Sequence, residues 1–322
     1  MKKDESEVRL LVVTHRDCLK HDPGEGHAER PERLAAVTGA LENDAELAAV
    51  TRNLGAREAG EDELAFLHTS EHISWVKNQC ETAPSVLDGG DTPVVRDSYR
   101  ASTLACGAVL DAIDAVAEGP VGSAFCAVRP PGHHAEIEAS MGFCLFNNVA
   151  VGARYAQRRG MARVAIVDFD VHHGNGTEHA FYSDAEVLYI SLHQYPHYPG
   201  TGSSLDVGDG AGAGRNINLP FPPGSGAEEY RIAVESTVIP ALVEFKPQLT
   251  MISAGFDAHR ADPLSEILLA ERDYYDMTRD IVSATAPFTG GRTVSALEGG
   301  YNLESLAASS RAHARALAGM EF

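Results

Sequence analysis

The sequence predicts an α/β fold, a central, mostly parallel sheet with helices on both faces. Three observations carry this expectation. Short apolar runs rich in valine and isoleucine recur along the whole chain, segments of helical spacing lie between several of them, and polar motifs follow the runs in a regular way. No linker rich in proline, glycine and serine interrupts the alternation, so residues 1–322 read as a single domain.

In chain order, the first buried strand is VRLLVV from Val8, followed by a helical segment from Arg33 to Leu41 and a longer one from Ser98 to Ala117. VGSAFCAV from Val121 is the next strand, and a helix is expected from Phe146 to Arg159. ARVAIV from Ala162 and VLYISL from Val187 follow. A helix from Ala227 to Phe245 then leads to the strand LTMIS from Leu249, the strand TVSAL from Thr293 and a last helix from Leu303 to Ala318. Near-continuous apolar runs of this kind suit strands buried on both faces.

Composition narrows the partners. Acidic residues number 46 against 26 basic ones, a net charge of −20, so phosphate backbones are repelled and cationic substrates attracted. Direct nucleic-acid binding is not expected; solubility alone is the plainer reading of the acidity. The five cysteines (Cys18, Cys80, Cys106, Cys126 and Cys144) form no CxxC pair and suggest neither a disulfide framework nor a thiolate zinc site. Cys106, Cys126 and Cys144 read as core fillers. The start, MKKDESEVRLLVVTH, carries a five-residue apolar run, too short for a signal-peptide core or a membrane span. A cytoplasmic location and no membrane association are therefore expected.

The polar motifs carry the chemistry. RPPGHHA, DFDVHHGNG, SLHQYPHYPGTG, SAGFDAH and EGGYN each follow a strand, and in an open parallel sheet such loops converge outside the carboxyl ends of the strands. Asp170 and His172, two apart on an extended loop, can reach one point, and Asp257 is the candidate third ligand of a catalytic zinc that keeps one position open. His133 and His134 follow a stiff Pro-Pro-Gly turn and are expected beside the metal water, with Asp168 and Asn175 as their acceptors. Tyr301 is a candidate oxyanion donor, and Phe143 and Tyr198 are candidate walls of a narrow channel. Taken singly, each has a plainer reading: a surface turn for the DxH, turn residues for the histidine pair, core packing for the aromatics.

In combination, RPPGHHAE, MGFCLFNN, DFDVHHGNGT, YISLH, YPGTG, AGFDAHRADPL and LEGGYN resemble the histone deacetylase superfamily, which includes acetylpolyamine amidohydrolases and acetoin-utilisation proteins. The resemblance runs from HDPGEGHAERPERL to the final helix, and the asparagine of HHGNGT resembles the class II branch. It implies an arginase-like three-layer fold and a zinc-dependent deacetylase with one zinc per chain. Carried over by motif, Asp170, His172 and Asp257 hold zinc, His134 is the general base and acid, His133 assists and Tyr301 polarises the acyl carbonyl. Asp168, Ser191 and Leu192, with carbonyls of Asp170 and His172, resemble a structural potassium site. Gly142, Phe143, Tyr198 and Leu264 correspond to the substrate tunnel. Arg33 matches a buried arginine below the site, where a structural salt bridge is the alternative.

The implied substrate is an acylated lysine of a peptide or protein, or an acetylated amine. Polyamine-selective relatives can carry glutamate after the DP that follows the zinc aspartate, whereas this chain has Leu264, which favours acyl-lysine over acetylpolyamine. An idle acyl-lysine binding module is the alternative of another class; intact His133, His134 and Tyr301 argue against it. A binuclear ureohydrolase needs bridging carboxylates that His173 and Asn175 do not provide.

Overall fold

A computed structural model describes residues 8–119 and 121–322. The segment MKKDESE at the start of the N-terminal reading lies outside the described residues. Among the described residues ten strands run in chain order: β1 Leu10–Thr14, β2 Thr51–Gly55, β3 Ser85–Val86, β4 Pro93–Val94, β5 Ser123–Cys126, β6 Val164–Asp168, β7 Val187–Gln194, β8 Asn216–Phe221, β9 Leu249–Ala254 and β10 Thr293–Leu297. Eight of them form one sheet in the order β2-β1-β5-β10-β9-β6-β7-β8, with every pairing parallel. β3 and β4 make a small antiparallel hairpin.

The six strands expected from valine and isoleucine runs are the interior of this sheet. Strands β5, β6, β7, β9 and β10 are buried along their whole length, as a sheet covered on both faces requires. The two edge strands were not anticipated, because TRNLG of β2 is largely exposed and NINLPF of β8 alternates between buried and half-buried positions. Neither edge has a continuous apolar run to announce it.

Helices cover the sheet in two groups. Glu32–Asn43, Glu271–Thr289 and Leu303–Leu317 pack together on one side, while Ser98–Glu118 packs against Asn148–Arg158 on the other. Asn147 caps the helix it precedes by accepting from the Ala150 N–H, and Asn302 caps the last helix through Ser305. Gly152 lets its helix press between Val109, Ile113 and Met251, whose Cε would lie 2.9 Å from an added Cβ. The segment Ala227–Phe245, expected as one helix, is α-helical over Ala227–Ala233 and Ile239–Phe245 with a widened π turn at Val234–Val238 between them. Pro240 explains the interruption, since it lacks an N–H and its ring crowds the carbonyl one turn back.

Helices Ser70–Glu81 and Glu271–Thr289 were not expected. The first is rich in polar residues and the second carries Pro287 near its end, so neither presents a clean apolar stripe to the reader of the sequence. All five cysteines are buried and unpaired, and Cys18 and Cys126 belong to the main apolar core. Among the described residues no helix is long and apolar enough to cross a membrane.

Candidate functional site

Because the sheet is parallel throughout, the loops that follow β5, β6, β7, β9 and β10 all emerge at one edge. β6 and β9 are neighbours in register, with Asp168 opposite Ser253. The chain continues two residues from Asp168 to Asp170 and four from Ser253 to Asp257, which brings the two carboxylates side by side. Glycines make the approach possible: a Cβ on Gly255 would lie 2.5 Å from Asp170 Cα, and one on Gly299 would lie 2.6 Å from Asp170 Oδ2.

Asp170, His172 and Asp257 are buried and offer ligand atoms that all lie within 4.8 Å of one another. His172 Nδ1 stands 3.1 Å from Asp170 Oδ1 and 3.1 Å from Asp257 Oδ2. Main-chain donors fix both carboxylates: Gly299 N–H reaches Asp170 Oδ2 at 2.8 Å, and Val171 N–H reaches Asp257 Oδ1 at 2.9 Å. Burial works against charge on His172, yet the flanking carboxylates push its pKa up to about 10. Burial and the charge of Asp170 push Asp257 up, whereas the imidazoles of His133 and His172 overcome burial and hold Asp170 well below its ordinary range. Two buried carboxylates around one imidazole form a site that could hold a cation. Two oxygens and one nitrogen at this spacing fit a metal ion.

The two histidines after the Pro-Pro-Gly turn have different surroundings. His133 Nδ1 donates to Asp168 Oδ2 at 3.0 Å, and its Nε2 is 3.8 Å from Asp170 Oδ1. Burial opposes charge there, but Asp168 and Asp170 push His133 up to about 10. His134 Nδ1 donates to Asn175 Oδ1 at 2.8 Å, and burial, then the cationic His133 and His172, push it well below its usual value. The surroundings thus favour the protonated form of His133 and the neutral form of His134, with ring centroids 4.0 Å apart. His134 lines the open cavity described below; His133 lies behind it.

That cavity, of about 280 Å³, opens above His134 and His172. Gly142, Phe143, Tyr198, Leu264 and Tyr301 line it, together with Asp91 and His197, which the sequence reading did not single out. Phe143 takes a left-handed backbone with φ 68°, directly after Gly142 at φ 58°, and this turn exposes its ring to the cavity. Tyr198 stands edge-on to His134 at 5.2 Å, and His197 stacks on His172 at 4.9 Å while bonding the Leu264 carbonyl through Nε2 at 2.9 Å. Burial and the nearby Asp88 push Asp91 up to about 6. Tyr301 has its N–H bonded to Asp262 Oδ2 at 2.6 Å and its ring under the Arg33 guanidinium at 4.9 Å.

Beneath the cavity lies a buried ionic cluster. Arg33 donates to the carbonyl of Gly300 at 2.6 Å, to that of Glu298 at 2.5 Å and to Glu29 Oε1 at 3.1 Å. Glu29 also receives a two-pronged pair of bonds from Arg129, each 2.7 Å. Arg33 therefore makes a salt bridge and also props the EGGYN loop. Glu298, unnoticed as the first letter of that motif, accepts from Gly132 N–H at 2.6 Å and His133 N–H at 3.2 Å, and burial raises it to about 7. Asp168 and Ser191 are opposite each other across β6 and β7, with Leu192 next along the strand; Ser191 Oγ bonds His193 Nδ1 at 2.9 Å.

Comparison with known proteins gives a consistent result. A family model described as "Histone deacetylase domain" matches residues 27–317. A "Probable deacetylase" of Archaeoglobus fulgidus is 37% identical over 91% of this chain and 81% of its own length. The "Histone deacetylase-like amidohydrolase" of Pseudomonas aeruginosa is 38% identical over 86% of this chain and 73% of its own. "Histone deacetylase 14, chloroplastic" of Arabidopsis thaliana is 38% identical over 96% and 77%, respectively. The crystal structure of the HDA15 HD domain superposes with a TM-score of 0.93 at 39% identity, covering 98% of this chain and 89% of that one.

Proposed function

The chain belongs to the histone deacetylase family, and from that premise we propose that it is a single-domain, zinc-dependent deacylase acting on acetyl-lysine or a similar N-acyl amine. The observation that carries the reading is the convergence of Asp170, His172 and Asp257 on one point beside His134, at the base of an aromatic-walled cavity. Zinc held by these three side chains, one ion per chain, would acidify a water molecule and polarise the acyl oxygen.

The residues of the chain do the rest. His134, with Nδ1 engaged by Asn175, accepts the proton of the attacking water at Nε2 and returns it to the leaving amine. His133, whose protonated form the hydrogen-bonded Asp168 favours, stabilises negative charge as it develops. The Tyr301 hydroxyl donates to the tetrahedral oxyanion, and Phe143 and Tyr198 hold the aliphatic stem of the substrate away from water. By the family resemblance we assign Asp168, Ser191 and the main-chain oxygens of Asp170, His172 and Leu192 to a structural potassium ion, a hard cation that oxygen ligands suit, with Asp168 and Ser191 opposite each other on neighbouring strands. A cytoplasmic location belongs to the same proposal; the five unpaired thiols fit a reducing compartment.

Acyl-lysine is favoured over acetylpolyamine because Leu264 stands on the cavity wall where polyamine-selective relatives can carry a glutamate, leaving Asp91 as the carboxyl group among the described lining residues. The test is turnover of an acetyl-lysine peptide beside N-acetylputrescine, with metal content measured on the same preparation. One zinc per chain and preference for the peptide are expected. Preference for N-acetylputrescine reverses the substrate order, and zinc binding without release of acetate from either leaves an acyl-lysine binding module.

A further inference from the structure

Behind His134 a line of hydrogen bonds continues towards the surface. Asn175 presents Oδ1 to His134 Nδ1 at 2.8 Å, and from its other end Nδ2 donates to Glu136 Oε1 at 2.5 Å. Both oxygens of Glu136 are engaged in turn by His179 Nδ1, at 2.8 and 3.0 Å. Asn175 is 3% exposed, so water does not substitute for these partners.

A buried amide has two unlike ends of nearly equal shape, and rotation end over end exchanges acceptor for donor without changing the packing. Such a group cannot by itself dictate which nitrogen of a neighbouring imidazole carries the proton. Here the choice is made one residue further back. With Glu136 against one end, the orientation with Oδ1 towards His134 pairs both ends, while the reverse sets an amide oxygen against a carboxylate oxygen. The remaining neighbours of Nδ2, the His134 carbonyl at 3.3 Å and Met141 Sδ at 3.4 Å, pull the same way but are long, neutral contacts that a charged acceptor at 2.5 Å outweighs. A carboxylate at position 175 would accept from either oxygen and need no such support.

We propose that Glu136 is a positioning residue: by accepting from Asn175 it fixes the amide, which then holds the His134 proton on Nδ1 and leaves Nε2 free as the base. His179 keeps the Glu136 carboxylate turned towards Asn175. The consequence for turnover rests on the deacylase reading above, whereas the tautomer of His134 is a property of the chain itself.

The experiment compares Glu136→Met, Glu136→Gln and the double variant Glu136→Met/Asn175→Asp. Each is read by the ¹⁵N shifts of His134 and by kcat and KM on an acetyl-lysine peptide, with a thermal melt as the folding control. In Glu136→Met the His134 proton should move from Nδ1 to Nε2 and kcat should fall about 100-fold at unchanged KM, while Glu136→Gln, which keeps an acceptor, stays within about threefold of wild type. Asn175→Asp should restore both the tautomer and the turnover in the Glu136→Met background. An unchanged tautomer in Glu136→Met, an equal loss in Glu136→Gln, or no recovery in the double variant would overturn the proposal. If the tautomer responds as described but wild type releases no acetate, the positioning role stands and the deacylase reading falls.

Discussion

Replacing Tyr301 by phenylalanine removes one oxygen and nothing else that the fold depends on. The ring remains under Arg33 and edge-on to Phe143 at 5.9 Å, and the main-chain bond to Asp262 is untouched. Among the described residues the hydroxyl has no partner in the chain, so its loss strands no buried group and should change stability by less than about 0.5 kcal/mol. Catalysis is a different matter. A donor aimed at a developing oxyanion is worth roughly 2.7 to 4 kcal/mol, which at 1.36 kcal/mol per decade predicts a fall in kcat of about 10² to 10³. Acetate release from an acetyl-lysine peptide measures the loss, zinc content and the melting temperature being followed on the same sample. Unchanged turnover in a folded, metal-loaded Tyr301→Phe protein would refute the role of the phenol and the geometry argued from it.

Other consequences are equally accessible. Asp257→Ala removes one of three converging ligands and should leave the protein folded but with far less than one zinc per chain by elemental assay; stoichiometric zinc would exclude Asp257 as a ligand. Glu29→Gln leaves the buried guanidiniums of Arg33 and Arg129 without their shared carboxylate, and should cost about 3 to 5 kcal/mol in urea unfolding. His68 accepts from Asn147 N–H through Nε2 at 3.0 Å, and burial pushes its pKa down to about 3. A base depressed on folding contributes stability that is intact above the unfolded pKa, near 6.5, and lost as pH falls towards 3. The difference in unfolding free energy between wild type and His68→Gln should therefore shrink through that window, by about 3 kcal/mol at two units below the unfolded pKa; a pH-independent difference would show that His68 is not held neutral.

How much the sequence disclosed depended on whether a feature was local. Interior strands are legible because burial on both faces writes an unbroken apolar run, as in VAIVD of β6, whereas the edge strand TRNLG carries no such mark. Asp170 and His172 stand out because they are neighbours in one loop. Asp257 could be named because it too follows a strand, although only the adjacency of β6 and β9 brings it within reach. Glu298, Asp91 and His197 gave no comparable signal, since their significance lies in what other loops bring to them: two main-chain N–H groups for Glu298, the hairpin's place at the cavity for Asp91, the Leu264 carbonyl for His197. Glu136 was in view as the last letter of RPPGHHAE, yet its partner Asn175 belongs to a different motif. The helix of Ala227–Phe245 keeps its expected bounds, but periodicity does not register the widened π turn that precedes Pro240.

The parallel sheet has a consequence for anyone who would take the molecule apart. His134, His172, Asp257 and Tyr301 follow four different strands, and β10, the last in sequence, lies between β5 and β9 at the middle of the sheet. Cutting the chain anywhere between His134 and Tyr301 leaves one fragment with the base and the other with the phenol, and a cut between β9 and β10 leaves the larger piece with a slot between β5 and β9 where β10 belongs. No severed half should retain partial activity. Two co-expressed pieces should regain it only by reassembling the whole sheet, which makes this protein a natural all-or-none reporter for split-protein complementation.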